Sequence, residues 1–173
     1  MTDEAHKEQF LKIMEENIRI VQKIAGVYTR NAHDREDLIN DITLELWKSF
    51  RNFRGNSKVS TWMYRVALNT AMNYQRKKTR DKVFFSLNDL KAEPVGWLSE
   101  DNHSEKTALL NRCIEELDKL NKAITLLYLD GNSYEEISVI TGISKTNVGT
   151  RMSRIKEQLK NLVNQKSKNY GFK

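Results

Sequence analysis

Proline is nearly missing from this chain: one occurs in 173 residues, with only seven glycines and one cysteine. So few chain breakers leave long stretches free to be helical, which points to an all-α protein. The lone Cys113 excludes an intramolecular disulfide and a cysteine-cluster metal site, and its surroundings, LNRCIEEL, read as a helix with a small apolar position. His6, His33 and His103 are too far apart for ligand spacing and have no serine or cysteine arrangement beside them. Neither a catalytic constellation, nor a metal, nor a cofactor is expected. No apolar run approaches the ~20 residues of a bilayer-spanning helix, and the acidic, polar start MTDEAHKEQF is unlike a signal peptide. The expectation is a cytoplasmic protein with no membrane insertion.

What is present is charge, and it is unevenly distributed. The net charge is +6. Residues 1 to 50 hold seven basic and ten acidic side chains, whereas residues 51 to 80 hold eight basic and no acidic ones. Residues 81 to 120 return to five basic against nine acidic, and 121 to 143 to one against three. The last segment, 144 to 173, has eight against one. Two basic segments in an otherwise acidic chain suggest two separate contacts with a polyanion. The first also interleaves Phe50, Phe53, Trp62, Tyr64 and Tyr74 with Asn52, Asn56, Asn69 and Asn73. Cations neutralise phosphates and flat rings stack on bases outside the duplex, although a solvated cationic face over an aromatic core would read the same way.

In chain order, Phe10, Ile13, Met14, Val21, Ile24 and Tyr28 predict an amphipathic helix from about His6 to Thr29. Asp34 is the expected N-cap of a second helix, Arg35 to Phe50, whose core arc is Leu38, Ile39, Ile42, Leu46 and Phe50. Leu44 falls on the other side among Asp37, Asn40, Asp41 and Lys48, with Trp47 at the margin. It is a candidate protein-docking patch, although single exposed leucines are common. The loop FRGNSKV leads to a helix from Trp62 to about Lys78, capped by Ser60 or Thr61. One arc of that helix is apolar, and the other collects Arg65, Asn69, Asn73, Arg76 and Lys77. Cations and base-reading amides thus share a face.

Residues 79 to about 105 lose the helical period, contain the only proline and are mostly acidic, with Phe84, Phe85, Leu87 and Trp97 as apolar anchors. They read as a flexible acidic linker, or as an acidic segment that lies in a basic channel of a partner. From Lys106 to Asp130 the chain is helical again, and Gly131 suits a helix C′ position. The run YEEISVITGISKTNVGTRMSRI has the spacing of a helix-turn-helix, with Ile137 and Ser138 inside the first helix, Gly142 at the turn, Ile143 after it and Val148 in the second helix. Ser144 caps that second helix, whose outer side presents Thr146, Asn147, Thr150, Arg151 and Arg154. Short polar residues for base edges and arginines for guanine or phosphate suit a recognition helix, while a plain helical hairpin is the alternative. The tail from Lys160 to Lys173 reads as polar, basic and frayed.

Taken together, these motifs resemble the extracytoplasmic-function class of bacterial RNA polymerase sigma factors, over about residues 8 to 165. DREDLINDITLELW is similar to that family's polymerase-binding segment, and FRGNSKVSTWMYRVALNTAMNYQRKK to its segment for the promoter −10 element. LDKLNKAITLLYLDGNSYEEISVITGISKTNVGTRMSRIKEQL is similar to its −35-reading domain. The resemblance implies a region 2-like domain over 1–79, a linker over 80–105 and a region 4-like domain over 106–173. Asp37, Leu38, Asp41, Leu44 and Trp47 would dock on the β′ clamp helices of core RNA polymerase, with a second contact to the β flap. Phe53, Arg54, Gly55, Asn56 and Lys58 would hold an extruded −10 base, with Arg65, Asn69, Asn73 and Arg76 behind them. Thr146, Asn147, Thr150, Arg151 and Arg154 would read or brace the −35 duplex.

This chain departs from the family pattern at Gly149, where many relatives carry a basic residue, and more mildly at Asn73 and Asn40. The resemblance further implies regulation by a separate anti-sigma factor and a place at the nucleoid when the polymerase is assembled. Two other functions compete with it: a stand-alone helix-turn-helix regulator, and a helical adaptor with no nucleic-acid role.

Overall fold

A computed structural model describes residues 3–84 and 105–169. Among them are seven α-helices and no strand. They are α1 (Asp3–Tyr28), α2 (Ala32–Phe50), α3 (Val59–Phe84), α4 (Glu105–Glu115), α5 (Lys119–Leu129), α6 (Tyr134–Thr141) and α7 (Lys145–Asn169). Two compact units result, one holding α1–α3 and the other α4–α7. The residues expected to form the heart of the acidic linker, including Phe85, Leu87 and Trp97, lie outside the described residues.

In the first unit each helix packs on the other two. Val21 and Ile24 of α1, Leu38, Ile42 and Leu46 of α2, and Met63 and Leu68 of α3 are buried together. Ala25, Ala67 and Ala71 are fully enclosed, and their small side chains let the helices approach. The α2 start differs from the sequence expectation. Its N-cap is Asn31, whose Oδ1 accepts from the Asp34 N–H at 2.8 Å. Asp34 sits one turn in, accepts from Asn31 Nδ2 at 2.9 Å and from the Tyr74 hydroxyl at 3.4 Å, and pairs with Lys78. It therefore joins α2 to α3 instead of capping, a role that only the tertiary contact reveals.

Burial pushes the Asp34 carboxyl up, but the hydrogen bond and charge of Lys78 outweigh it and hold the pKa below its ordinary value. Lys78 is raised in turn: burial disfavours its charge, and Asp34 and Tyr74 more than compensate. A depressed carboxylate stabilises the fold above its unfolded pKa and loses that contribution as pH falls through the folded value. The raised lysine loses its share only as pH rises through its own folded value, so the pair is fully effective at neutrality. Asp34→Asn is expected to destabilise the first unit by ~1 kcal/mol at pH 7, a figure kept low because Lys78 is partly solvated. In urea titrations the difference from the unaltered protein should close as pH is lowered through the Asp34 transition. A gap that persists undiminished in acid would show that the charge is irrelevant.

Helix α3 also starts earlier than expected, at Val59. The Trp62 N–H donates to the Lys58 carbonyl at 3.1 Å, so Ser60 and Thr61 lie within the first turn, with Thr61 buried. At its other end the helix runs on to Phe84. The TRDKV segment contains no breaker, and a helix continues there although its apolar stripe has ended.

In the second unit the segment expected to be helical from Lys106 to Asp130 forms two helices, α4 and α5. Asp118 interrupts it as the α5 N-cap, its Oδ1 accepting from the N–H groups of Leu120 and Asn121 at 3.0 Å. At the other end of α5, Gly131 donates to Tyr128 and Asn132 to Leu127, closing the helix with the paired bonds of a Schellman turn. Helix α6 opens on a capping box between Ser133 and Glu136 and ends at Gly142, whose φ of 76° a side chain would disfavour. Ile114, Ile124, Leu127, Ile137, Val148, Met152 and Ile155 form the core, and Cys113 is buried beside them. Burial pushes the Cys113 thiol up, as expected of an unreactive core position. Ile143 is half-buried, and Tyr128 is exposed, with Lys156 4.8 Å over its ring. Helix α7 continues to Asn169, into the segment expected to fray, because Leu162 and Val163 are half-buried and Lys166 pairs with Glu116 of α4; residues 170–173 lie outside the described residues.

Candidate nucleic-acid interface

Three surfaces collect the residues singled out by sequence. The first lies on α2. Leu44 is 50% exposed, and Asp37, Asn40, Asp41 and Lys48 around it are exposed, with Trp47 half-buried at the edge. Leu38 differs: it is wholly buried, so it offers no surface to a partner and can only position the helix. An unanticipated feature adjoins this patch. Phe10 and Leu11 of α1, with Thr43, Leu44 and Trp47 of α2, line an apolar groove of about 500 Å³ that has Lys7 at its rim. Leu11 is as exposed as Leu44. The sequence signal was available in Leu11, an apolar residue outside the α1 core stripe.

The second surface is the 51–58 loop with α3. Hydrogen bonds from the Asn52 and Phe53 N–H groups to the Ser49 and Phe50 carbonyls, both 3.0 Å, fold the chain off the end of α2. Gly55 takes φ 73° with open space around it. Arg54, Asn56 and Lys58 are exposed, whereas Phe53 is half-buried and stacks on Trp62, with ring centroids 4.8 Å apart at 29°. Trp62 in turn meets Phe50, and Phe50 meets Phe10, which packs edge-on against Trp47. A continuous aromatic ladder thus runs from the α2 patch to the loop and gives its base a rigid seat. Beyond the loop, Arg65, Asn69, Asn73, Arg76 and Lys77 are all exposed on α3, as the wheel predicts. Lys78, one of the eight basic residues of the segment, is instead committed to Asp34.

The third surface is the outer side of α7. Ser144 caps it through the Asn147 N–H at 3.2 Å, and Lys145 pairs with Glu135 across the turn. Thr146, Asn147, Thr150 and Arg154 are exposed, although the Thr150 hydroxyl donates back to the Thr146 carbonyl at 3.0 Å. Arg151 stands apart. It is half-buried, and its Nη1 donates to Asn121 Oδ1 of α5 at 3.2 Å. Ser138 does more than keep the turn small, because its hydroxyl donates to the Ile143 carbonyl at 2.6 Å and ties the corner together.

At Gly149 an added Cβ would meet the Tyr134 ring at 3.7 and 3.8 Å, ordinary contact distance. Glycine inside a helix costs about 0.5–1 kcal/mol relative to alanine. Gly149→Ala should therefore stabilise the second unit by about that amount, raising its melting temperature by several degrees. A lowered melting temperature in calorimetry would mean that the Tyr134 ring has to move.

Among the described residues no group of three or more histidine, cysteine, aspartate or glutamate side chains could hold a metal ion, and no helix is long and apolar enough to cross a membrane. Comparison with known proteins agrees with the division into units. Sigma-70 region 2 matches residues 13–81, and Sigma-70 region 4 matches residues 107–159. The ECF RNA polymerase sigma-E factor of Escherichia coli K12 is 33% identical over 159 residues, covering 84% of this chain and 83% of that protein. Its Haemophilus influenzae namesake is 30% identical over 160 residues, covering 84% of each.

Two solved structures share the fold. The sigma factor RpoE of Bartonella quintana, crystallised with the anti-sigma factor NepR, aligns with a TM-score of 0.68 at 20% identity over 91% of this chain and 96% of that one. CnrH, in complex with the cytosolic domain of CnrY, aligns at 0.65 and 16% identity over 92% and 90%. With matched segments in both units and relatives aligned along most of its length, the chain belongs to the extracytoplasmic-function family of RNA polymerase sigma factors, which act in transcription initiation.

Proposed function

We propose that this chain directs promoter-specific initiation by dividing the work among the three surfaces. The α2 patch around Leu44, with Asp37, Asp41 and Trp47, docks on the β′ clamp helices, and the second unit adds a contact to the β flap. The 53–58 loop captures an extruded −10 base, while Arg65, Asn69, Asn73 and Arg76 hold the separated strand against α3. The −35 duplex is read by Thr146, Asn147, Thr150 and Arg154 on α7, with Arg151 alongside. Capture of a flipped base offsets the few kcal/mol that unstacking costs, so strand separation needs no nucleotide hydrolysis by this chain. A separate anti-sigma factor is proposed as its regulator, in line with the neighbour crystallised with NepR.

The observation that carries this reading is the α3 face and its aromatic-backed loop. A regulator that binds intact duplex needs no seat for melted strand, and an adaptor needs no exposed run of cations and amides. Run-off transcription with core polymerase on a promoter library, with and without the chain, tests it. Promoter-specific transcripts are expected only when the chain is present, and their absence would favour the stand-alone regulator. On a selected promoter, Arg154→Ala is expected to weaken −35 binding by ~1–3 kcal/mol, with relaxed preference at one base pair. An equal loss on every sequence would reassign Arg154 to phosphate.

A further inference from the structure

The setting of Arg151 differs from that of every other residue on the outer side of α7. Asp118, the N-cap of α5, uses its two carboxylate oxygens separately. Oδ1 accepts from the backbone of Leu120 and Asn121, and Oδ2 accepts from the Asn121 side-chain Nδ2 at 2.6 Å. With its NH2 group held there, the Asn121 amide turns Oδ1 toward Arg151 Nη1 at 3.2 Å. Reversing the amide would place oxygen against a carboxylate and NH2 against a guanidinium, unfavourable at both ends, so this orientation is fixed by charge. The Arg151 Nε is enclosed without a hydrogen-bond partner. Of the five N–H donors of the guanidinium, one is shielded and one is committed, so the fork is only partly free.

Bidentate reading of guanine needs an unencumbered fork that can reach a base edge. A guanidinium tethered at the junction of α5 and α7 suits a phosphate oxygen, which accepts from several directions and carries full charge. We infer that Asn121, oriented by Asp118, is a positioning residue that dedicates Arg151 to a phosphate of the −35 duplex, leaving base reading to Thr146, Asn147, Thr150 and Arg154. This rests on the reading of α7 as the −35 helix. Holding a long side chain in place before binding removes part of the cost of ordering it, which makes Asn121 matter to DNA without touching it.

The test uses the full chain assembled with core polymerase, and a duplex that this assembly selects from a randomised pool. Arg151→Ala should weaken binding roughly tenfold on matched and mismatched duplexes alike, and lower the log–log salt slope by about one. Asn121→Ala should weaken binding about threefold, and that loss should vanish when Arg151 is already alanine. Asp118→Ser keeps a capping oxygen but removes the one that holds the amide, and should give a smaller loss that also vanishes without Arg151. Losses from Asn121→Ala and Asp118→Ser that add to Arg151→Ala would overturn the positioning role, and a loss confined to one base pair would overturn the phosphate assignment. Arg154→Ala serves as the internal reference: no effect there would remove α7 from the −35 duplex, whereas an effect there without coupling at 121 and 151 would remove only this inference.

Discussion

Leu44→Asp is expected to lower affinity for core RNA polymerase by roughly a hundredfold or more while the first unit keeps its helicity and melting temperature. The size follows from the site. Leu44 lies half exposed on α2 and closes one side of the apolar groove whose other wall is Phe10 and Leu11. An aliphatic anchor of that kind, once desolvated by a partner, costs ~2–4 kcal/mol to truncate. A carboxylate in its place must also be stripped of water beside Asp37, Asp41 and Glu45, whose like charges oppose it. The fold is spared because the side chain contributes little to the core, which Leu38, Ile42 and Leu46 fill from the other side of the helix. Leu44→Ala should lose less, and Leu11→Asp should lose affinity as well if the partner enters the groove. Unchanged affinity of Leu44→Asp in a fluorescence titration with core polymerase would remove this docking surface from the proposal.

Much of this arrangement is legible in the chain itself, and what escapes has a consistent cause. Helical periodicity places Leu38, Ile42, Leu46 and Phe50 on one side of α2 and leaves Leu44 on the other, because burial follows directly from the repeat. The exposed run Arg65, Asn69, Asn73 and Arg76 follows in the same way. Helix ends are less legible where two residues could do the same job. Asn31 and Asp34 are both good caps, and the choice is made by Lys78 and Tyr74, which are forty or more residues from Asp34 in the chain.

The α4–α5 break escapes because the apolar period carries across it, while the decisive event is local: the Asp118 carboxylate captures two backbone N–H groups. The polar end of α7 has only Leu162 and Val163 to bury and is also held by the contact of Lys166 with Glu116. Side-chain roles are the least legible part of the candidate site. Arg151 and Arg154 look equivalent on the helical wheel, and only the position of Asn121 on another helix separates them.

The same reasoning predicts the behaviour of the 51–58 loop. Replacing Arg54 and Asn56 together by alanine removes two exposed side chains from the proposed base seat and leaves its foundation intact, since Phe53 keeps its stack on Trp62 and Gly55 keeps its turn. Losing about 2 kcal/mol of capture should slow promoter opening by roughly thirtyfold on fully paired DNA. A template already unpaired at the −10 element carries no unstacking cost, so most of the defect should disappear there. Binding to core polymerase should be unaffected, because the α2 patch is untouched. Open-complex formation followed by permanganate reactivity on the two templates separates the cases. An equal defect on paired and unpaired DNA would mean that these side chains hold phosphates and not a flipped base, and that opening is driven from the α3 face alone.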